Sequence, residues 1–217
     1  MENLSQLYQK FAVKASLYYD RAQDIQNDIP HEQSWRITYL TESLITNFWQ
    51  SWCSFCRHII ILSCRGTFSR HNDSIASRQA DNSCQRLGYE ALCAIRRQTP
   101  KASKTIRFLR QEPTWGDQDK IIDIIGCLNP GNSDTLRSAF GLPLAGPKHL
   151  QIVRNACAHK NVETLNQVRS LSSHYANPKI KSPTDLAWQI AISNNSCGIY
   201  SWIEDLIIIA GQATLTS

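Results

Sequence analysis

Apolar residues recur at three- and four-residue spacing through most of the chain, while the period-two alternation of half-buried strands is nearly absent. The pattern predicts an all-α fold. Leu4, Leu7, Phe11, Ala15, Tyr18, Ala22 and Ile25 form one stripe along a helix over about 3–27, which Pro30 ends. Leu40, Leu44, Phe48, Trp52, Phe55, Ile59 and Leu62 form a second stripe over about 34–64, with Trp35 and Trp49 adding bulk. Two long amphipathic helices joined by a short polar link are expected to pack antiparallel.

Residues 66–83 are polar and lack an apolar period, which predicts a long loop of the kind that is either functional or disordered. Shorter helices are expected over about 84–98, 101–111, 117–128 and 133–140, punctuated by Pro100, Pro113, Pro130, Gly131 and Pro143. Pro147 opens a helix over about 147–173, at a first-turn position where a missing N–H costs nothing. Its stripe of Leu150, Val153 and Cys157 breaks at His159, Lys160 and Asn161 and resumes at Leu165, Val168 and Leu171. Two more helices, near 184–192 and 197–211, close the chain. No repeat and no clear boundary marks a second domain, so 1–217 reads as a single helical domain.

At 217 residues and 42% hydrophobic, with six Trp, seven Tyr and six Phe, the chain has enough apolar material for a core and is neither disordered nor collagenous. The longest apolar runs, Ile59 to Leu62 and Leu206 to Ala210, are far shorter than a bilayer span, so no membrane segment is expected. The opening residues, Met-Glu-Asn-Leu-Ser-Gln-Leu-Tyr, lack the pattern of a secretory leader. A cytoplasmic location and reduced cysteines are therefore expected.

Net charge is +5, but its placement matters more than its size. Between Arg57 and Arg110 eleven Lys and Arg face only Asp73, Asp81 and Glu90, leaving the remainder slightly acidic. Such concentration suits an anionic partner, RNA above all, although a solvated helix face with a basic loop has the same composition. The densest part carries Arg96, Arg97, Lys101, Lys104, Arg107 and Arg110. On a helix the last four, three apart, wind slowly enough to follow a phosphate backbone, with Phe108 placed either for stacking or in the core.

The chemistry-bearing pattern is the interruption itself, Arg154-Asn155-Ala156-Cys157-Ala158-His159. At about 100° per residue Asn155 and His159 share a face, whereas Arg154 lies about 140° from His159. A second helix or a second subunit is then needed to complete a site. The pattern equally fits an Arg paired with a carboxylate such as Glu163 or Asp185 and a satisfied polar His on a helix. A second Arg-x4-His, Arg169 to His174, lacks the Asn and ends beside a loop.

Within an all-α chain, Arg154, Asn155 and His159 resemble the signature of the HEPN superfamily: an Arg, often followed by Asn, then a His five to seven residues after the Arg. The long tryptophan-rich second helix and its Gly-started loop are similar to the front half of such proteins. The resemblance implies a helical bundle on long antiparallel helices that cleaves RNA as a homodimer without metal or cofactor, in a toxin or antiviral role. His159 would transfer protons, Arg154 would bear phosphate charge and Asn155 would orient the imidazole. It also implies an inhibitory or regulatory protein partner. Some such toxins are silenced through a Tyr two residues after the motif His; Asn161 stands there, and Tyr175 is the nearest Tyr, so an inhibitor is expected to act sterically. A non-catalytic HEPN module binding nucleic acid or protein is the alternative, and a helical adaptor outside the family is a third. Cys53, Cys56, His58 and Cys64 look like metal ligands, but one Cys-x2-Cys within a helical stripe reads as core packing, and no metal is expected.

Overall fold

The computed structural model describes residues 3–30, 34–107, 109–177 and 179–215. Phe108 lies outside them. The described residues carry nine α-helices: α1 (Leu4–Asp28), α2 (Ser34–Arg65), α3 (Cys84–Ile95), α4 (Gln118–Leu128), α5 (Ser133–Phe140), α6 (Gly146–His159), α7 (Val162–Ser170), α8 (Asp185–Trp188) and α9 (Gly198–Ala213). Two short antiparallel pairs, β1 (Thr67–Phe68) with β2 (Ser74–Ile75) and β3 (Ile190–Ala191) with β4 (Ser196–Cys197), complete an all-α fold. No helix among the described residues is long and apolar enough to cross a membrane.

The chain divides into two compact units, each drawn from separated stretches. The first comprises Met1–Phe11, Trp52–Pro143 and Ile208–Ser217; the second comprises Ala12–Ser51 and Leu144–Ile207. The divisions fall inside α1, α2 and α9.

In the first unit the stripes of α1 and α2 meet in an aromatic cluster. Phe11 lies 4.8 Å from Phe55 and 5.7 Å from Trp52, and Phe140 of α5 lies 5.9 Å from Trp52. The buried Trp52 indole donates to the Gly116 carbonyl at 3.2 Å, so its polar atom is satisfied. Buried Glu90 on α3 accepts from Arg78 at 2.8 Å and from Arg86 at 2.5 Å, and Arg57 and the Trp115 indole share Glu112. Arg65 is held by the Asn82 carbonyl and Cys84, and Arg70 lies 4.0 Å over the Tyr8 ring. Much of the basic excess from Arg57 to Arg110 is thus structural.

In the second unit Tyr18 of α1 packs 5.3 Å from Phe48 of α2 and its hydroxyl lies 3.2 Å from Ser51. Tyr19 and Gln26 of α1 engage Tyr200 of α9, and the Trp188 indole of α8 donates to Thr41 of α2 at 3.2 Å.

Five expectations require correction. The 66–83 loop contains the β1–β2 hairpin, which the left-handed Gly66 (φ 83°) enters and the left-handed Asn72 (φ 68°) turns. The helix expected over 101–111 is absent from 101–107, and only a 3-10 turn at Leu109–Gln111 follows. Arg86 Nη1 takes the carbonyls of Lys101, Ala102 and Lys104 at 2.6, 3.1 and 2.8 Å, holding them as a loop. The helix over 147–173 is two helices, because Lys160 turns left-handed (φ 46°, ψ 46°) and Asn161 caps α7 by accepting from the Thr164 N–H at 2.9 Å. The helix near 184–192 is one turn, α8, after which the chain extends into β3. Trp35 adds no bulk to the core: it is 66% exposed, while Trp49 is buried.

Candidate functional site

Helix α6, in the second unit, carries the motif. Its start is fixed by the Asp205 carboxylate, which accepts from the Gly146 N–H at 2.8 Å and sets negative charge at the helix N-terminus. Only glycine fits there, since a Cβ would fall 2.7 Å from that of Asp205 and 3.0 Å from the Trp202 Cα. Pro147 follows in the first turn. Leu150, Val153, Ala156 and Cys157 bury one side, and the opposite side stays partly open.

Arg154 and Asn155 are half-buried and His159 is exposed in the last turn. Arg154 Nη1 donates to Asn155 Oδ1 at 3.2 Å, while Arg154 Nε is buried without a hydrogen-bond partner among the described residues. Asn155 therefore holds the guanidinium rather than the imidazole. Arg154 makes no ion pair with Glu163 or Asp185; the Asp185 carboxylate instead accepts from the Lys181 and Ser182 backbone. Among the described residues no hydrogen bond joins Arg154 to His159, in keeping with their offset around the helix.

Sequence reasoning missed two neighbours. Gln151 Oε1, one turn before Asn155, is also buried and unpartnered, so Gln151, Asn155 and His159 run as a polar line at four-residue spacing. That spacing was the available signal. Lys160 reaches Glu42 Oε2 on α2 at 3.0 Å, a contact between residues too distant in sequence for any local pattern. Trp35 and Tyr39, each 66% exposed, precede Glu42 on the same face of α2, and Val162 beyond Lys160 is 73% exposed. The nearby Cys157 thiol is pushed up to about 12 by burial, with Glu42 adding and Lys160 and Arg154 opposing, so it is no ready nucleophile.

Arg96, Arg97, Lys101, Lys104, Arg107 and Arg110 are all exposed in the first unit, but on a helix end, a loop and a 3-10 turn instead of a winding helical row. Arg169 of the second Arg-x4-His binds the Ile180 carbonyl at 3.4 Å and Asn166 at 3.3 Å, a local structural role. Cys56 and Cys64 are buried in α2 and Cys53 is half-buried, and His58 bonds back to Ser54. Among the described residues no three His, Cys, Asp or Glu are placed to hold a metal ion. The cysteines form no disulfide.

Comparison with known proteins yields no match, whether to family models, curated proteins or solved structures.

Proposed function

We propose that the chain is a metal-independent endoribonuclease of the HEPN type, acting as a homodimer. The observation that carries this reading is Arg154: a half-buried guanidinium whose Nε has no acceptor among the described residues and whose neighbour Asn155, one turn from an exposed His159, aims it. A buried unpartnered donor costs about 1–3 kcal/mol, and a phosphate oxygen is the acceptor its forked geometry suits. The 2′-hydroxyl attacks phosphorus, losing its proton to a base; the 5′-oxygen leaves with a proton from an acid; and a 2′,3′-cyclic phosphate remains. One His per chain supplies one of the two proton transfers, so two motifs facing each other supply both. The exposed Trp35, Tyr39 and Val162 beside the motif offer apolar area for that pairing. The family resemblance assigns such an enzyme to a toxin or antiviral role with an inhibitory protein partner and a cytoplasmic RNA target.

A second reading, a nucleic-acid-binding module without cleavage, draws support from the six exposed basic residues between Arg96 and Arg110. Incubating structured and unstructured RNAs with purified protein in EDTA separates the two. Cyclic-phosphate ends that vanish in His159→Ala support the nuclease; salt-sensitive binding with no cleavage of any RNA rejects it.

A further inference from the structure

A second polar constellation, whose Asp205 also holds the start of α6, lies in the same unit and takes no part in the motif. The 3-10 turn Ser172–His174, β3 and α9 close around the first turns of α6 to leave a cavity of about 300 Å³. His149, His174, Tyr175, Ser201, Trp202 and Asp205 contribute its polar wall, with Ala191 and Ile192 on the apolar side. No Lys or Arg lines it, so it does not select an anion, and its His and Asp are not grouped to hold a metal.

Its hydrogen-bond directions follow from the donors available. The Trp202 indole can only donate, and does so to Tyr175 Oη at 2.9 Å; Tyr175 Oη lies 2.9 Å from His149 Nδ1. Tyr175 is 4% exposed, and its one proton has no acceptor but Nδ1 among the described residues. The proton of neutral His149 therefore sits on Nε2, which has no partner among the described residues. Burial first, and then His174 with its ring centroid 5.1 Å away, push the His149 pKa down to about 4, so this ring is neutral at ordinary pH. Asp205 spends Oδ2 on the Gly146 N–H and adds a carboxylate acceptor to the same wall. The cavity thus offers a neutral N–H donor at His149 and a carboxylate acceptor at Asp205, beside the His174 ring and the hydroxyls of Ser173, Ser193 and Ser201, with no Lys or Arg.

We propose that this cavity is a nucleobase site: His149 Nε2–H donates to a ring nitrogen or carbonyl, and Asp205 accepts from an exocyclic amino group. Adenine, cytosine and guanine carry that group. Uracil instead sets two carbonyls beside its N–H, and they repel the carboxylate. The base comes from a free nucleoside or from a single strand. His149 and His159 are ten residues apart on α6, about 15 Å along its axis, so one strand can occupy both places. The site does not depend on whether His159 cuts RNA.

Full-length protein with 15N-labelled histidine is titrated with adenosine, cytidine, guanosine and uridine, and with five-nucleotide homopolymers of each, while the His149 and His174 imidazole resonances are followed. Saturable shifts with an amino-bearing nucleoside or oligomer, at least about tenfold weaker with the uridine counterpart, support the site. Shifts with nucleosides identify the free ligand as sufficient; shifts with oligomers alone identify a base within a strand. Asp205→Asn keeps an oxygen for the Gly146 N–H while placing an N–H donor in the cavity, and should narrow or reverse the preference against uridine. Oligomer binding without these shifts, no shift at millimolar ligand, or an unchanged preference in a folded Asp205→Asn protein overturns the proposal.

Discussion

Asn155 accepts a hydrogen bond from the guanidinium of the residue immediately before it, Arg154, at 3.2 Å. Adjacent residues on a helix do not ordinarily face each other. The contact bends the Arg154 side chain round the axis toward the line of Gln151, Asn155 and His159, partly closing the offset between Arg154 and His159. Arg154→Ala and His159→Ala should each lower cleavage by about 10²- to 10⁴-fold, and Asn155→Ala by less, in single-turnover assays. Because Arg154 Nε has no partner among the described residues and Nη1 has only the neighbouring Asn155, Arg154→Ala should leave the melting temperature within a few degrees of wild type. A large drop would mark Arg154 as structural and count against the site.

The dimer can be checked through the aromatic face of α2. Light scattering at micromolar concentration should report a dimer, and replacing exposed Trp35 and Tyr39 together by Ala should give a folded monomer that no longer cleaves. A wild-type monomer that cleaves RNA would refute the shared site.

Tyr175, the nearest candidate for silencing by modification, is 4% exposed and its hydroxyl meets both His149 and Trp202 at 2.9 Å. Intact-mass spectrometry of protein co-expressed with any nucleotidyltransferase inhibitor should show no adduct on Tyr175. Tyr175→Phe should destabilise by about 1–3 kcal/mol in urea, since it strands two buried nitrogens.

Acid should weaken the second unit through His149. Below about pH 6.5 the unfolded chain takes up a proton at this residue, while the folded chain refuses it until about pH 4. Stability contributed by the neutral ring is therefore intact above pH 6.5 and declines as pH falls toward 4, by something on the order of 2–3 kcal/mol. Asp205, whose carboxyl is raised by burial, opposes this trend as pH falls. His149→Phe, if folded, should flatten the dependence of the urea midpoint on pH between 6.5 and 4; an unchanged slope would assign it to other groups.

The basic segment separates into two kinds of residue with opposite expected phenotypes. Glu90→Gln leaves Arg78 and Arg86 without their buried counter-charge and should cost about 3–5 kcal/mol in stability. Neutralising exposed Arg96, Arg97 and Lys101 should barely move stability, yet should lower the salt slope of RNA binding by about 0.7 for each phosphate left without its cation.

The long stripes were legible because a single apolar face held over many turns has only one periodic explanation: Leu4, Leu7, Phe11, Ala15, Ala22 and Ile25, and Leu44, Phe48, Trp52, Phe55 and Ile59, are buried as that period requires. Shorter signals misled. The polar break at His159 to Asn161 is visible in the sequence, but its stripe resumes so soon that it resembles an interruption of one helix, whereas Asn161, accepting from Thr164 three residues on, starts another. Lys101 to Arg107 had helical spacing, yet a distant guanidinium, Arg86, claimed the carbonyls a helix needs. The cavity is invisible in the sequence because His149, Tyr175 and the pair Trp202 and Asp205 come from three separate stretches, and each looks ordinary in its own window. Arg154, Asn155 and His159 stand close enough in sequence to show as a pattern, but the lack of a partner for Arg154 Nε among the described residues is a property of packing that no local pattern encodes.

The interleaving of the two units has a consequence for how the chain is made. Both draw on α9, the first through Ile208 onward and the second through Gly198 to Ile207. A growing polypeptide on the ribosome therefore cannot complete either unit until α9 has emerged, however early α6 and its motif are translated. If the chain is the ribonuclease proposed above, it would stay inactive while nascent, and premature termination upstream of α9 would release a fragment with neither unit complete.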